Sequence, residues 1–432
     1  MKRLLGLLLS ISLFAAFLMG PIVSSQAAAS PHYPFPQHVT YAPGAIRPNH
    51  LSQAQQDNDV RAFYDDWKGQ YLKSAGMTPG GNPLYRISFG STDPNRTVSE
   101  GQGYGMIIVA LMAGYDSQAQ VYFDGLWDFV RTYPSSIDSR LMAWEVPPGN
   151  GDSAFDGDAD IGYALLLADK QWGSRGRINY RAEAEQVITG ILESTIGPAS
   201  RLPLLGDWVD PNGAQYNQYT PRSSDFMPAH FRAYGRATNN LVWTEVVSNS
   251  QVVVTSLQAN FSPTTGLLPD FIVPTSGTDH TPKPASPGFL EGPNDGDYNY
   301  NAGRDPWRLG TDALLNNDPV SLAQTRRIAE WAFTATSGNP QNIQAGYELD
   351  GTPLGNYFTT FFAAPLGVAA MTVPTQQTWL NDIYDAVSAT HEDYYEDTVT
   401  LLCLLVMTGN YWDPTNPPGS TVYLPVILKK SA

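Results

Sequence analysis

About a dozen stretches of this chain repeat apolar residues with the 3.6-residue period of a helix, and several are apolar on more than one face. They cover residues 53–74, 105–115, 119–133, 160–172, 180–194, 225–236, 245–260, 305–316, 320–335, 357–371, 376–389 and 393–407. A helix apolar all round must be surrounded by other helices. Strand-like alternation is scarce and short, so the body is expected to be all-α. No short-period repeat points to an open solenoid. The arrangement that buries so many two-faced helices is a pair of concentric layers, with the inner ring buried and the glycine-rich loops gathered at one end.

Within this pattern one carboxylate stands in an unusual place. Glu100 lies among Gly101, Gly103, Gly105 and the ring of Tyr104, directly before the apolar run that begins at Met106. Ser99 and Glu100 can serve merely as a helix start, since an acid suits the positive end of the dipole. Three glycines beside an aromatic ring also let a flat ligand approach the backbone closely. A sugar ring has that shape, with Tyr104 as its stacking face.

A second acidic loop, Asp152 to Ala164, enters the next apolar segment. Asp156, Asp158 and Asp160 match half of a calcium-loop signature, but the glycine at the sixth position and the glutamate at the twelfth are missing, so calcium is not expected. His230 has no second His or Cys at ligand spacing and reads as a structural histidine. No metal or other cofactor is expected, and nothing indicates a nucleophilic triad or a phosphate loop.

The segments Ser99 to Met106, Asp156 to Gly173, Ser224 to Ala233 and Tyr300 to Arg308 resemble, in order, the successive blocks of glycoside hydrolase family 8. The resemblance covers roughly residues 40–412 and implies an (α/α)6 barrel that hydrolyses β-1,4-type linkages with inversion. In such a reaction one protonated carboxyl group serves the leaving oxygen and a carboxylate roughly 6.5–9.5 Å away activates water on the opposite face. By this resemblance Glu100 is the general acid and Asp156 the residue that holds and distorts the sugar ring. The family's best-known members carry an aspartate base where this chain has Asn301, an amide that accepts no proton at ordinary pH. A subgroup that includes chitosanases and mixed-linkage glucanases has asparagine there and takes its base from a glutamate on a preceding loop. Glu291, in the loop 283–298, matches that base. Asp295 and Asp297 are lesser candidates. Arg304 and Arg308 are expected to partner the acids, and Asp312 is expected to be a buried helix-end carboxylate. Trp144, Trp208, Tyr216, Tyr219, Trp243 and Tyr357 are candidate sugar platforms, and aromatics at helix ends are more often core.

The expected function is therefore an exported, endo-acting glycoside hydrolase on a polysaccharide, with cellulose or mixed-linkage β-glucan ahead of chitosan and xylan. A non-catalytic glycan-binding protein, suggested by Asn301, and a structural helical toroid are the competing classes. Acidic residues outnumber basic ones 41 to 25, a formal charge of −16, which disfavours nucleic acid and anionic membranes and suits a cationic polymer. Twelve per cent of the residues are aromatic, and the surplus over a core's needs falls in polar loops. A monomer is expected. The single cysteine, Cys403, sits in an apolar run and reads as a core thiol.

Lys2 and Arg3 precede an apolar run from Leu4 to Met19 and a small-residue site ending near Ala29, the pattern of a secretory signal occupying residues 1–29. The catalytic domain is expected over 30–412, followed by a linker and short tail at 413–432, too short to span a membrane and a candidate for surface retention. The expected outcome for exported material is an intact mass that lacks residues 1–29. A mass that retains Met1 would make the run an anchor.

Overall fold

The computed structural model describes residues 30–419, so the export signal at 1–29 and the tail from 420 onward lie outside the described residues. Twelve α-helices follow in chain order: α1 (Gln53–Tyr71), α2 (Ser99–Leu111), α3 (Ala119–Thr132), α4 (Phe155–Trp172), α5 (Tyr180–Ser194), α6 (Pro228–Thr238), α7 (Val242–Asn260), α8 (Asp305–Asn316), α9 (Pro319–Ala335), α10 (Thr360–Ala370), α11 (Gln377–Ser388) and α12 (Tyr394–Met407). Each even-numbered helix packs on the next even-numbered one, and α12 returns to α2, so these six close a ring. Each odd-numbered helix backs one member of that ring, α1 on α12 and α3 on α2 among them. The result is the (α/α)6 barrel.

Residue content explains which helix goes where. Every residue of α10 is buried, as is every residue of α2 except Glu100. Such helices have no face to give to water and belong inside. By contrast α3 buries Ala119, Phe123, Leu126, Trp127 and Val130, a stripe at helical spacing that suits the outer layer. Cys403 is buried within α12, and His230 stacks on Tyr163 with centroids 4.0 Å apart.

Three short antiparallel ladders decorate the barrel. They pair β1 (Leu72–Met77) with β2 (Pro83–Ile87), β3 (Thr97–Val98) with β4 (Glu145–Val146), and β5 (Ile272–Pro274) with β6 (Pro282–Pro284). The middle ladder runs directly into α2 and is extended by the Ser99 amide, which donates to the Trp144 carbonyl at 2.8 Å. The last ladder precedes the loop that carries Glu291.

Two helices begin earlier than their apolar periodicity indicates. The segment expected from 105 starts at Ser99, and the one expected from 160 starts at Phe155. Gly101, Gly103 and Gly105 are thus inside α2, where glycine is a poor helix former, and packing outweighs that cost. A Cβ at Gly103 would lie 2.7 Å from Cβ of Asp160 and 2.9 Å from the Gly157 carbonyl on α4. At Gly101 it would meet the Tyr394 ring of α12, with Cζ at 2.8 Å, and at Gly105 it would lie 2.6 Å from Cδ1 of Ile87. The three glycines therefore admit three neighbouring elements of the protein. The expectation that they open the backbone to a sugar is corrected.

Because the contact at Gly103 is partly against backbone, it cannot relax by a rotamer change. Gly103→Ala is expected to destabilise the protein by roughly 1–3 kcal/mol, the usual cost of overpacking, read as a lower urea midpoint. An unchanged midpoint would mean that α2 and α4 separate without cost.

Candidate active site

The tight crossing of α2 and α4 places Glu100, in the first turn of one, beside Asp156, in the first turn of the other. Both line an open cleft of about 320 Å³ at the mouth of the inner ring, with Trp144, Arg222, Glu291 and Asn301 also in its wall. Residues distant in sequence meet here because the ring is closed.

Beneath the cleft lies Arg304, 1% exposed, at the start of α8. Its guanidinium makes a short ion pair with Glu100 and donates to Asp156 at 2.9 Å, to Ser224 at 2.7 Å and to the Asn301 side-chain carbonyl at 3.0 Å. The other end of Asn301 donates to Glu291 Oε2 at 2.9 Å. Arg222 approaches from the opposite side, donating to Asp156 at 2.8 Å and standing 3.6 Å from Glu291. Glu291 is half exposed, whereas Asp156 is buried.

The buried carboxyl groups at the cleft experience different environments. Burial disfavours the charged form of Glu100, the attraction of Arg304 offsets only part of that, and its pKa rises to about 7. Burial acts on Asp156 too, but Arg222 and Arg304 together outweigh it and hold the group down at about 2. A proton is thus retained near neutrality on Glu100 and excluded from Asp156. Their neighbour Asp225 is fully buried, neither of its carboxyl oxygens has a hydrogen-bond partner, and burial raises it to about 7. Burial likewise lifts Asp270 to about 7 although it accepts the amides of Asn299, Asn301 and Ala302.

The Glu291 loop is pinned from within. Asp295 accepts the backbone amides of Leu290, Glu291 and Gly292 at 2.7, 3.1 and 2.9 Å, which leaves its carboxylate organising the loop and buried. Asp297 is outside the cleft lining.

Several candidate residues fall elsewhere. Tyr104 is fully buried, its hydroxyl donating to Glu100 at 3.2 Å and its ring packed edge-on against Trp307, so the stacking face assigned to it is corrected to a place under the acid. Trp208 belongs to a small apolar cluster with Tyr216 and Phe289 behind the loop. Tyr219 stacks on His280 at 3.7 Å, and Tyr357 reaches the cleft only through Tyr300, hydroxyl to hydroxyl at 3.0 Å. Trp243 is core. Phe89, Arg96, Arg222, Tyr300 and Tyr395 line the cleft without having been singled out from sequence. Tyr300 opens one of the family blocks, and Arg222 and Arg96 stand two and three residues before others, so these had a positional cue; Phe89 and Tyr395 had none.

The aspartates of the 156–160 run are dispersed around α4. Asp158 accepts the Met142 amide at 2.8 Å, and Asp160 binds Arg308 at 2.6 Å and His230 at 2.9 Å. Asp312 pairs with Arg232 at 3.0 Å. Among the described residues no group of three or more His, Cys, Asp or Glu is arranged to hold a metal ion.

A closed double ring of helices with a carboxylate-lined cleft at its mouth is an architecture on which a glycoside hydrolase can be built, and the sequence match identifies this one as such. The chain belongs to glycosyl hydrolases family 8, whose profile it matches over residues 34–409. It is 44% identical to a β-glucanase of Niallia circulans, the match covering 92% of this chain and 95% of that protein. An endoglucanase of Bacillus sp. strain KSM-330 is 40% identical over 93% of this chain and 86% of its own. Among solved structures, the apo β-1,3-1,4-glucanase from Paenibacillus sp. X4 superposes with a TM-score of 0.84 at 44% identity, covering 89% of this chain and all of that one.

Glu100 binds a proton in the folded state up to about pH 7, whereas an ordinary glutamate in the unfolded chain releases it near 4.5. The folded state therefore holds more protons across that window, and this group's contribution to stability is full below it and lost as pH rises through 7. Asp156, shifted the other way, acts below about 4 and does not intrude. Urea midpoints at about pH 5 and about pH 8 are expected to differ less for Glu100→Gln than for the unaltered protein. Equal differences would show that Glu100 ionises normally in the fold.

Proposed function

We propose that the protein is an exported, inverting endo-β-glucanase in which Glu100 is the general acid and Glu291 the general base, acting on mixed-linkage β-glucan or cellulose. One contact carries the choice of base: the Asn301 amide donates to Glu291 at 2.9 Å while its carbonyl is occupied by Arg304. Asn301 has no proton-accepting group to offer the water. The carboxylate that it orients is half exposed to the cleft. The relatives' names, β-glucanase, endoglucanase and β-1,3-1,4-glucanase, support the substrate class.

In this mechanism the polymer lies along the cleft with its scissile oxygen at Glu100. That group, pushed to about 7 by burial, carries the proton needed by the departing sugar. Glu291 removes a proton from water on the far face of the ring. Asp156 stays ionised beside Arg222 and Arg304 and holds the sugar hydroxyls, so that ring distortion is favoured before bond cleavage. After turnover Glu100 is deprotonated and Glu291 protonated, and exchange with solvent resets both. The catalytic domain spans residues 30–412, and cleavage after Ala29 releases it outside the cell, where a polymer too large for uptake is met.

Glu291→Gln and Glu100→Gln are each expected to lower kcat by roughly 10²–10⁴-fold, the usual worth of general acid–base catalysis, with oligosaccharide binding nearly intact. Asn301→Asp should slow the enzyme, since it removes the donor to Glu291 and adds a like charge, yet partly restore Glu291→Gln. The first product seen by NMR should be the α-anomer. A β-anomer, or full activity in Glu291→Gln, overturns the assignment.

A further inference from the structure

The wall of the cleft on the Glu100 side contains a cation that the proposed mechanism does not use. Arg96 lies four residues before the acid, and its guanidinium lies over two aromatic rings, with Cζ 4.6 Å from the centroid of Phe89 and 5.2 Å from that of Trp144. All three residues line the cleft. The edge of the guanidinium is fixed by Glu145, which accepts from Nε at 3.1 Å and pairs with Nη2 at 3.0 Å. Glu145 is in turn held by the β3–β4 ladder, opposite Val98. The remaining amino group, Nη1, makes no hydrogen bond to any described residue. Phe89 is braced as well: its amide donates to the Arg96 carbonyl at 2.9 Å, and the neighbouring Ser91 amide donates to Asp393 at 3.0 Å. A guanidinium held by two rings and a carboxylate is a positioned planar donor with one amino group left for a ligand.

We infer that Arg96 determines specificity by meeting the C2 substituent of a bound sugar, accepting a hydroxyl there and thereby excluding polymers of 2-amino sugars such as chitosan. The inference rests on the β-glucan reading above. A guanidinium has five N–H donors and no acceptor, and a protonated sugar amine likewise only donates. The two cannot hydrogen-bond, and they repel at contact even though Glu145 compensates part of the guanidinium charge. A glucose hydroxyl offers lone pairs to the same donor. The overall charge of −16 draws a polycation toward the protein, but that field is screened beyond about 10 Å in ordinary salt. Contact with a fixed cation in the cleft decides the outcome.

The test compares kcat/KM on soluble mixed-linkage β-glucan and on fully deacetylated chitosan for the unaltered enzyme, Arg96→Gln and Arg96→Lys, with thermal denaturation of each. The unaltered enzyme should favour β-glucan by about 100-fold or more, as like-charge juxtaposition and an unmet donor require. In Arg96→Gln, which keeps polarity but not charge, β-glucan kcat/KM should fall about 10-fold, mainly through KM, while the chitosan-to-glucan ratio rises by about 10-fold or more. Arg96→Lys retains the charge and should still reject chitosan. A chitosan-to-glucan ratio unchanged in Arg96→Gln, or raised in Arg96→Lys, overturns the inference and leaves Arg96 as packing for Phe89 and Trp144. Efficient chitosan cleavage by the unaltered enzyme overturns it too. Lack of activity on every β-glucan would instead overturn the substrate reading beneath it.

Discussion

A single buried guanidinium ties the site to the barrel. Arg304 has almost no access to water, and an isolated cation there would carry a desolvation penalty of several kcal/mol. Its N–H groups are met by Glu100 from α2, Asp156 from α4, Ser224 from the turn before α6 and Asn301 beside α8. Two helices of the inner ring and the segments that lead into the next two thus converge on one side chain. Removing a carboxyl partner leaves the cation less compensated and removing Ser224 or Asn301 leaves a buried N–H unmet, so the carboxylates have their positions fixed by the same interactions that make the ring end stable.

The same residue separates the behaviour of two neighbouring acids. Asp156 accepts hydrogen bonds from both Arg222 and Arg304 and is held down at about 2, while Glu100 is raised to about 7 because burial and the neighbouring charge of Asp156 outweigh the attraction of the same two arginines, of which only Arg304 touches it. Two carboxyl groups in one cleft are therefore driven apart in pKa by how closely the same cations hold each of them, and that division is what acid catalysis near neutrality requires. Asn301 completes the arrangement. Its carbonyl faces Arg304 and its amide faces Glu291, so the amide both relieves the guanidinium and orients the loop carboxylate.

Support for the loop side of the cleft comes from different physics. Glu291 has no secondary structure beneath it, and its position depends on Asp295 gathering three amides and on the Tyr216 hydroxyl binding the Phe289 carbonyl at 3.0 Å. Trp208, Tyr216 and Phe289 pack behind it. Aromatic residues that a sequence places in polar loops beside Gly and Asn thus serve here as a small second core, which holds a catalytic candidate out in water while keeping its backbone rigid.

The all-α class, the two layers and most helix bounds were legible in the chain because apolar periodicity reports directly which faces must be buried. The segments 180–194 and 305–316 coincide with α5 and α8. Family blocks likewise pointed to Glu100, Asp156, Glu291 and Asn301 as a group. Periodicity failed at the starts of α2 and α4, where glycine and acid dominate: the helical conformation there is set by the close approach of neighbouring elements, which no local propensity encodes. For the same reason Tyr104 and Trp208 were misplaced as surface platforms, since an aromatic ring beside glycine reads alike whether it faces a sugar or the core. Arg96, Arg222 and Tyr395 enter the cleft from separate segments, and the pKa difference between Glu100 and Asp156 depends on cations some 66 to 204 residues away in sequence. Only closure of the ring brings those charges within a few ångströms, where electrostatics is strong enough to decide which acid keeps its proton.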